Sequence, residues 1–528
     1  MFTKLLRYTL VSAVLVVGLL ACDNDFEKIN DNPNVPTEAP ADFLMPRAMQ
    51  TSLNRLYDMD GINGYVGSIW TQGYAKIQYV DEDKYDFSGR IDLVNSIWQS
   101  FYSRSLMDLE TIKSQARAAN KQNVLAMAMI MKSWNFQIMS DLWGYVPYSE
   151  ALQGAGNTTP VYDSQESVYK ALIDSLDAAA GMIDPSGSPL GSADLVYGGD
   201  MAKWQKLANS LQMRLYMRLS EADAGYAESG IASMVSNGDP VFTSNDDNAA
   251  MAYLPFPNNN PVNEFLRTRQ DHKVSETVID TLKHFNDPRL RIYAVPVQND
   301  SLVNAGTTYQ GIPNGDTDIQ NSIPISQAST MGAYFISPTS PGRIMTYAEL
   351  KFIMAEAAAR NWIGADAETQ YEEAITAAMM MYDDDEVSSV LSGFPASDVA
   401  YQKQSIGECY DNGLSLPGGI TQQEVNTYLN QASVQYDQAN WRQQIGLQKW
   451  LALYSQGVEM WAEYRRLNYP ELQPGPDALL SNVPQRLSYP QIEASLNSSN
   501  LEAAMEAQGI AVDANYLQQF GNSVWWDQ

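Results

Sequence analysis

The chain has 528 residues, of which 45% are hydrophobic, enough for one large helical domain or two ordinary ones with a sizeable core. Its 62 acidic residues outnumber 33 lysines and arginines and give a formal net charge of -29. This charge argues against nucleic acid or anionic lipid as a partner.

The first 21 residues have the features of an export signal. Lys4 and Arg7 form a positive start, and the apolar run that follows is shorter than the ~20 residues that a membrane-spanning helix needs. The run ends in Leu19-Leu20-Ala21-Cys22, which is similar to the lipobox of bacterial lipoproteins. We therefore predict a lipoprotein signal peptide at 1–21 and lipidation of Cys22; the alternative is an ordinary secretory signal with a chance cysteine.

Residues 22–46 are rich in Asp, Asn and Pro and predict an extended, lipidated tether that holds the body away from a membrane. The chain has two cysteines, Cys22 and Cys409. If Cys22 is lipidated, no intramolecular disulfide can form.

A segment rich in glycine and aromatic residues, 61–90, follows a predicted helix at 44–56 and shows no sustained helical period. Aromatic rings in a loop can stack on sugar rings or peptide side chains while nearby amides fix the orientation. The alternative is that the rings pack against the helices and hold the loop in place. The candidate ligand-binding residues are Trp70, Tyr74 and Tyr79 for stacking, with Gln72 and Asn63 for hydrogen bonds.

Apolar residues recur three or four positions apart in four pairs of segments, as expected of helices that bury one face. The pairs are 94–112 with 124–139, 164–183 with 200–219, 346–364 with 366–380, and 441–454 with 458–466. Asp200 and Asp366 are predicted N-caps. The spacing Ala367-x3-Tyr371-x2-Ala374 is the second-helix half of a tetratricopeptide pattern. We predict a mostly α fold, in which four tetratricopeptide-like helix pairs form an α-solenoid scaffold with irregular, loop-rich insertions.

Two insertions, at about 237–340 and 383–440, interrupt the helix pairs, and 47–528 is predicted to be a single domain. Asn-Gly turns and prolines mark the first insertion as irregular. It carries a second candidate ligand-binding patch, formed by Phe256, Asn259, Asn263 and Arg267.

The sequence offers little for catalysis. Its two histidines, His272 and His284, rule out an HExxH zinc site, and no G-x-S-x-G or phosphate-loop Gly-Lys occurs. The acidic clusters lack EF-hand spacing, and 62 acidic residues offer too many carboxylate pairs to single out one for glycoside hydrolysis. We predict no catalytic residue, no metal site and no cofactor.

Motifs spread along the chain resemble those of one family. They are DLWGYVPYSEAL at 141–152, KWQKLANSLQMRLYMRLS at 203–220, DPRL with YAVP at 287–296, YAELKFIMAEAAARNWIG at 347–364, QKWLALYSQGVEMWAEYRRLNYP at 448–470, and RLSYP at 486–490 with VWWD at 524–527. Together they resemble the SusD/RagB family of surface lipoproteins. Trp143 and Tyr145 depart from the family's DLYGDVPYSEAL motif, and both changes suit a packing role.

The resemblance implies an outer-membrane, lipid-anchored protein that faces the cell exterior. Such a protein lies as a lid on a SusC-like TonB-dependent transporter, captures a glycan or a peptide, and passes it into the barrel without breaking a bond. The family's ligand residues lie outside these motifs, so none can be transferred to this chain. Two alternatives remain: a surface-anchored glycoside hydrolase or peptidase, and a ligand-free structural subunit of the transporter complex.

Overall fold

The computed structural model describes residues 39–297, 308–324, 327–392 and 416–527, and helices dominate it. The predicted signal, Cys22, most of the tether and Cys409 lie outside these residues. The helices up to residue 237 are α1 (Ala41–Tyr57), α2 (Ser68–Trp70), α3 (Ile91–Ser100), α4 (Met107–Ala118), α5 (Gln122–Trp143), α6 (Gln165–Met182), α7 (Met201–Arg218) and α8 (Ala224–Asn237). Two π-helical turns, Asn63–Gly67 and Phe101–Leu106, precede α2 and α4.

Short elements fill much of the following region before long helices return. The helices are α9 (Pro261–Leu266), α10 (Glu276–His284), α11 (Leu290–Tyr293), α12 (Thr317–Ser322), α13 (Ala333–Ile336), α14 (Tyr347–Ala359), α15 (Ala367–Met380), α16 (Asp384–Ser392), α17 (Gln422–Leu429), α18 (Trp441–Ala452), α19 (Gly457–Leu467), α20 (Gln491–Leu496), α21 (Ser498–Ala507) and α22 (Tyr516–Phe520). The strands are β1 (Tyr74–Lys76), β2 (Ala249–Met251), β3 (His272–Val274) and β4 (Gly342–Met345).

The four predicted helix pairs are confirmed. The joined helix α3–α4 packs on α5, α6 packs on α7, α14 on α15, and α18 on α19. Neighbouring pairs also touch, through α5 with α6, α7 with α14, and α14 with α18. Asp200 and Asp366 cap α7 and α15 as predicted, since their carboxylates accept backbone N–H groups of the first helical turn. The mostly α scaffold therefore follows the apolar spacing of the sequence.

Two antiparallel ribbons pin the irregular region to the scaffold. β1 pairs with β3, with Tyr74 opposite Val274, and β2 pairs with β4, with Ala249 opposite Met345. In each ribbon the two strands come from distant parts of the sequence, so the region between α8 and α14 is fastened at both ends.

Buried ion pairs connect the helix pairs to one another. Each has an arginine on one helix and a carboxylate on another: Arg214 of α7 with Glu349 of α14, Arg218 of α7 with Asp141 of α5, and Arg466 of α19 with Glu356 of α14. All six side chains are almost fully buried. Removing one partner would leave a buried charge with fewer counter-charges, so these pairs help to fix how the helix pairs are placed against each other. Within the described residues, no helix combines the length and apolarity that a membrane crossing requires.

Candidate ligand-binding site

An open cavity of about 710 Å³ lies beside the scaffold. One wall comes from the C-terminal half of α1 and the end of α3 with the π-helical turn that follows it. The facing wall comes from the loop before α9, from α9 itself, and from the residues that follow it. The volume falls within the ~300–1,000 Å³ typical of small-molecule sites.

Several polar groups of the scaffold wall are engaged within the protein. Arg55 of α1 donates from one guanidinium nitrogen to Asp58 (3.1 Å) and from another to Ser100 at the end of α3 (2.9 Å). Burial lowers the pKa of Arg55 and raises that of Asp58, while the attraction between the two opposes both shifts. Asn54 accepts a hydrogen bond from Tyr253 (2.9 Å), which ties α1 to the region beyond α8.

The facing wall presents an aromatic ring and amides. Phe256 is 63% exposed, and the guanidinium of Arg267 lies 4.5 Å from its ring centre. Arg267 also pairs with Glu264 (2.8 Å), which accepts a second hydrogen bond from the amide of Asn259 (3.0 Å). These contacts orient the loop and α9 relative to each other.

At one end of the cavity Arg269 is held by a carboxylate. Its guanidinium makes a two-pronged contact with Asp271 (3.0 and 3.1 Å) and lies 5.6 Å from the ring of Tyr79. The hydrogen bond to Asp271 raises the pKa of Arg269. Burial opposes ionisation of Asp271, but nearby His272 and Arg269 outweigh it, so the pKa of Asp271 is lowered. A charged Arg269 is therefore positioned before any ligand arrives.

The second predicted patch lies at this cavity. Phe256 and Asn259 line it, and Arg267 stacks on Phe256. Asn263 is buried, and its amide donates to the carbonyl of Ile336 (2.9 Å). This hydrogen bond therefore fastens α9 to α13.

The first predicted patch divides. Tyr79 is 68% exposed and lies beside Arg269, near the cavity. Trp70 is fully buried, with its ring centre 5.0 Å from that of Trp461 and 5.1 Å from that of Phe520. The prediction that Trp70 stacks on a ligand is corrected here, because the indole fills the core between three distant segments.

The remaining residues of that patch are buried as well. Tyr74 packs edge-on against Tyr454, and Asn63 accepts a hydrogen bond from Ser68 (2.6 Å) inside the turn. Gln72 donates to the carbonyl of Gln473 (2.7 Å) and accepts from Thr277 (2.6 Å). Because Asn63 and Gln72 already form hydrogen bonds within the fold and the ring of Tyr74 is buried against Tyr454, we correct their expected role from ligand contact to packing.

Sequence reasoning missed the polar residues that the scaffold contributes. Arg55 and Arg104 lie within or next to predicted helices, where a charged residue is typical of a solvated face. Arg269 follows a short helix that apolar spacing did not predict. The one usable signal was the concentration of arginine near Phe256 in an otherwise acidic chain.

Within the described residues, no three His, Cys, Asp or Glu side chains gather as ligands of a metal ion would. The acidic clusters at 81–83 and 246–247 are instead engaged by the protein. Asp83 accepts hydrogen bonds from the backbone of Lys76 (2.7 Å) and from Gln320 (2.8 Å), and Asp247 pairs with Lys206 (2.8 Å).

Comparisons with known proteins find the same fold over most of the chain. Residues 33–490 match the SusD-like protein-family model described as "Starch-binding associating with outer membrane". A search of curated proteins found no match. Among solved structures, a chitin-binding protein superposes with a TM-score of 0.77 and 27% identity, covering 92% of this chain and 99% of that one.

Two further structures support the fold alone, given their lower identity. A SusD-like protein labelled Bacteroidetes AC2a gives a TM-score of 0.75 at 21% identity and covers 93% of this chain and 100% of its own. A SusD homologue from Bacteroides fragilis NCTC 9343 gives 0.71 at 22% identity, with 92% and 100% covered. With the family model matching most of its length, this chain belongs to the SusD-like family.

Proposed function

We propose that this protein captures a glycan in the cavity beside α1 and α9 and delivers it to a SusC-like TonB-dependent transporter of the outer membrane. The observation that carries the proposal is the open cavity of about 710 Å³ with the exposed ring of Phe256 on its wall. A single exposed ring is ordinary on a protein surface, but here the ring lies on the wall of a cavity, where it can stack on a ligand. The family's description as starch-binding supports a glycan over a peptide.

The chemistry of the walls suits a sugar. Phe256, with Tyr79 close by, offers apolar faces on which a pyranose ring can stack. Asn54, Asn259 and Thr51 line the same space and offer amide and hydroxyl groups to sugar hydroxyls. Stacking sets the affinity, and the polar groups set the orientation.

Binding without bond cleavage is the activity we propose. The three carboxylates on the cavity wall are engaged by other side chains: Asp58 by Arg55, Asp60 by the hydroxyl of Tyr65, and Glu264 by Arg267. A glycosidase needs one carboxylic acid free to protonate the leaving group and a second to act opposite it. Because all three carboxylates are already hydrogen-bonded to other side chains, glycoside hydrolysis at this cavity is disfavoured.

Calorimetry on the mature chain tests the binding role. Starch, chitin and peptide panels would be titrated, and chromatography of each mixture would detect cleavage. We expect a glycan to bind without turnover and Phe256→Ala to weaken it. Turnover of any glycan or peptide would favour a surface hydrolase, and the absence of any ligand would favour a structural subunit.

The anchor and the partner are proposed from the sequence. Lipidation of Cys22 after removal of 1–21 would attach the protein through the tether 22–46. Incorporation of a labelled fatty acid, lost in Cys22→Ser, tests the anchor, and protease access on intact cells tests whether the protein faces the exterior. Recovery of a TonB-dependent barrel with the native lipoprotein tests the transporter.

We also propose that 47–528 is one domain with insertions at about 237–340 and 383–440. One hydrophobic core supports this proposal, since it includes buried residues from α1 through to Trp526. Limited proteolysis should then release no stable half of the chain.

A further inference from the structure

The π-helical turn Phe101–Leu106 sits where α3 passes into α4, and it carries Arg104 on the cavity wall. A π-helical turn adds a residue to the helical repeat, so the side chains after it change direction. Such turns recur at functional sites. Here the turn is built into one of the longest helices of the scaffold and faces the ligand cavity.

The arginines of the cavity differ in how they are paired. Arg55 pairs with Asp58, Arg269 with Asp271, and Arg267 with Glu264. For Arg104, by contrast, the part of the chain that the structure describes provides no ion pair and no side-chain hydrogen bond, and the side chain is exposed. Its guanidinium keeps all five N–H donors for a ligand.

Arg104 and Arg55 line the same wall of the cavity, close enough for their two positive charges to repel each other. Arg55 uses two of its nitrogens on Asp58 and Ser100, which leaves donors on the same side chain. An anion placed between the two guanidinium groups would add two attractions that offset the one repulsion. A carboxylate fits best, because its two oxygens match the planar fork of an arginine.

We propose that the glycan taken by this cavity carries a carboxylate, as in a uronic acid residue, and that Arg104 pairs with that carboxylate. This inference rests on the proposed function and names the ligand class of the same site. The carboxylate lies between Arg104 and Arg55, while the sugar ring lies towards Phe256. Neutral residues of the same oligosaccharide occupy the rest of the cavity.

The overall charge of the chain opposes this ligand only weakly. A net charge of -29 repels anions at long range, but at physiological salt charges are screened beyond about 8 Å. Around the cavity Arg55, Arg104, Arg267 and Arg269 match the nearby carboxylates Asp58, Asp60, Glu264 and Asp271 in number. Local pairing, rather than a positive field, therefore makes the recognition, and added salt should reduce the preference for the charged ligand.

The test is calorimetric titration of the mature chain with oligosaccharides of galacturonate, glucuronate and mannuronate, and with their methyl esters. Esterification keeps the sugar and removes the charge. We expect a uronate oligomer to bind about 10- to 100-fold more tightly than its ester, the effect of one charge-assisted contact. Arg104→Gln should remove most of that difference, because it should weaken binding of the uronate far more than binding of the ester.

A matched control lies on the same helix. Arg117→Gln in α4 removes the same charge from an exposed arginine 13 positions further along, ~20 Å away at the rise of an α-helix, and should change neither affinity. Arg104→Lys keeps the charge but loses the fork, so it should recover only part of the preference. Unchanged melting temperatures would show that each variant folds.

Each other outcome overturns the inference in a distinguishable way. Equal binding of uronate and ester, or equal losses of both in Arg104→Gln, rejects the carboxylate. Binding of neutral starch or chitin oligomers alone keeps the proposed function and rejects the inference. Binding of a glutamate-rich peptide alone replaces the glycan, and failure of every glycan to bind rejects both proposals.

Discussion

Two aromatic residues that the sequence treats alike should behave in opposite ways when truncated. Trp70 is fully buried, whereas Tyr79 is 68% exposed beside Arg269. Trp70→Ala should therefore lower the free energy of unfolding, and Tyr79→Ala should leave it unchanged. For ligand affinity we expect the opposite: Tyr79→Ala should weaken binding more than Trp70→Ala does.

The size of the effect follows from the packing around Trp70. Truncating a buried tryptophan to alanine costs about 3–5 kcal/mol through lost burial and the cavity left behind. Edge contacts with Trp461 and Phe520 and a tilted contact with Phe87, all with ring centres within 5.4 Å, place the cost at the upper end. For Tyr79, an exposed site, we expect a change of less than about 0.5 kcal/mol.

Denaturant unfolding is the suitable assay, because melting temperature responds weakly in a protein of this size. With an unfolding entropy of about 2 cal/mol/K per residue, 528 residues give about 1 kcal/mol per kelvin. Even the loss of Trp70 would then shift the melting temperature by only about 3–5 °C if the chain unfolds as one unit. If Trp70→Ala kept its free energy of unfolding within about 1 kcal/mol but lost ligand, the packing role would be refuted.

Three further perturbations test the scaffold, each by denaturant unfolding. Gly67→Ala would place a methyl group 2.2 Å from a backbone carbon of the first residue of α19, so we expect a loss above about 2 kcal/mol; Gly181→Ala, with open space around it, should lose nothing. Arg466→Met would remove a cation shared by the buried carboxylates of α14 and α19; these keep other cationic partners, so we expect a cost of about 3 kcal/mol, the lower end for a broken buried pair. Arg442→Met at a half-exposed pair should cost less than about 1 kcal/mol. Burial and a nearby lysine lower the pKa of His272 to about 4. Since the unfolded chain takes up that proton near pH 6.5, the free energy of unfolding should fall by up to about 3 kcal/mol between pH 6.5 and 4. His272→Asn should flatten this part of the pH curve, and an unchanged curve would show that the histidine is not buried in its neutral form.

The helix pairs were predictable because their signals are local. Apolar residues three or four positions apart placed the paired helices to within about six residues, and the short polar side chains of Asp200 and Asp366 marked two starts. Helix α8 was not predicted. The sequence did not predict the π-helical turn at Phe101–Leu106, because one extra residue in a turn barely alters an apolar repeat.

The role of the aromatic segment 61–90 could not be read from its own residues. Trp70 packs on Trp461 and Phe520, nearly 400 and 450 positions away, and no local pattern encodes such a contact. Lack of a helical period indicated a loop, whereas the segment contains a π-helical turn, a short helix and a strand. Contacts with residues distant in the sequence determine which rings are buried, and Tyr79 remains exposed.

The two walls of the cavity differ in how their residues are held in place. Arg55 and Arg104 sit on helices that pack into the core, so their positions are set by the same contacts that hold the helix pairs together. Phe256 and Asn259 sit on a loop whose side chains are largely exposed, where substitutions cost little stability. A change of glycan could therefore proceed by altering the loop wall, while a change in the charge of the ligand would require altering the helical wall. That asymmetry explains why the charge at Arg104, rather than any loop residue, is the informative position to test.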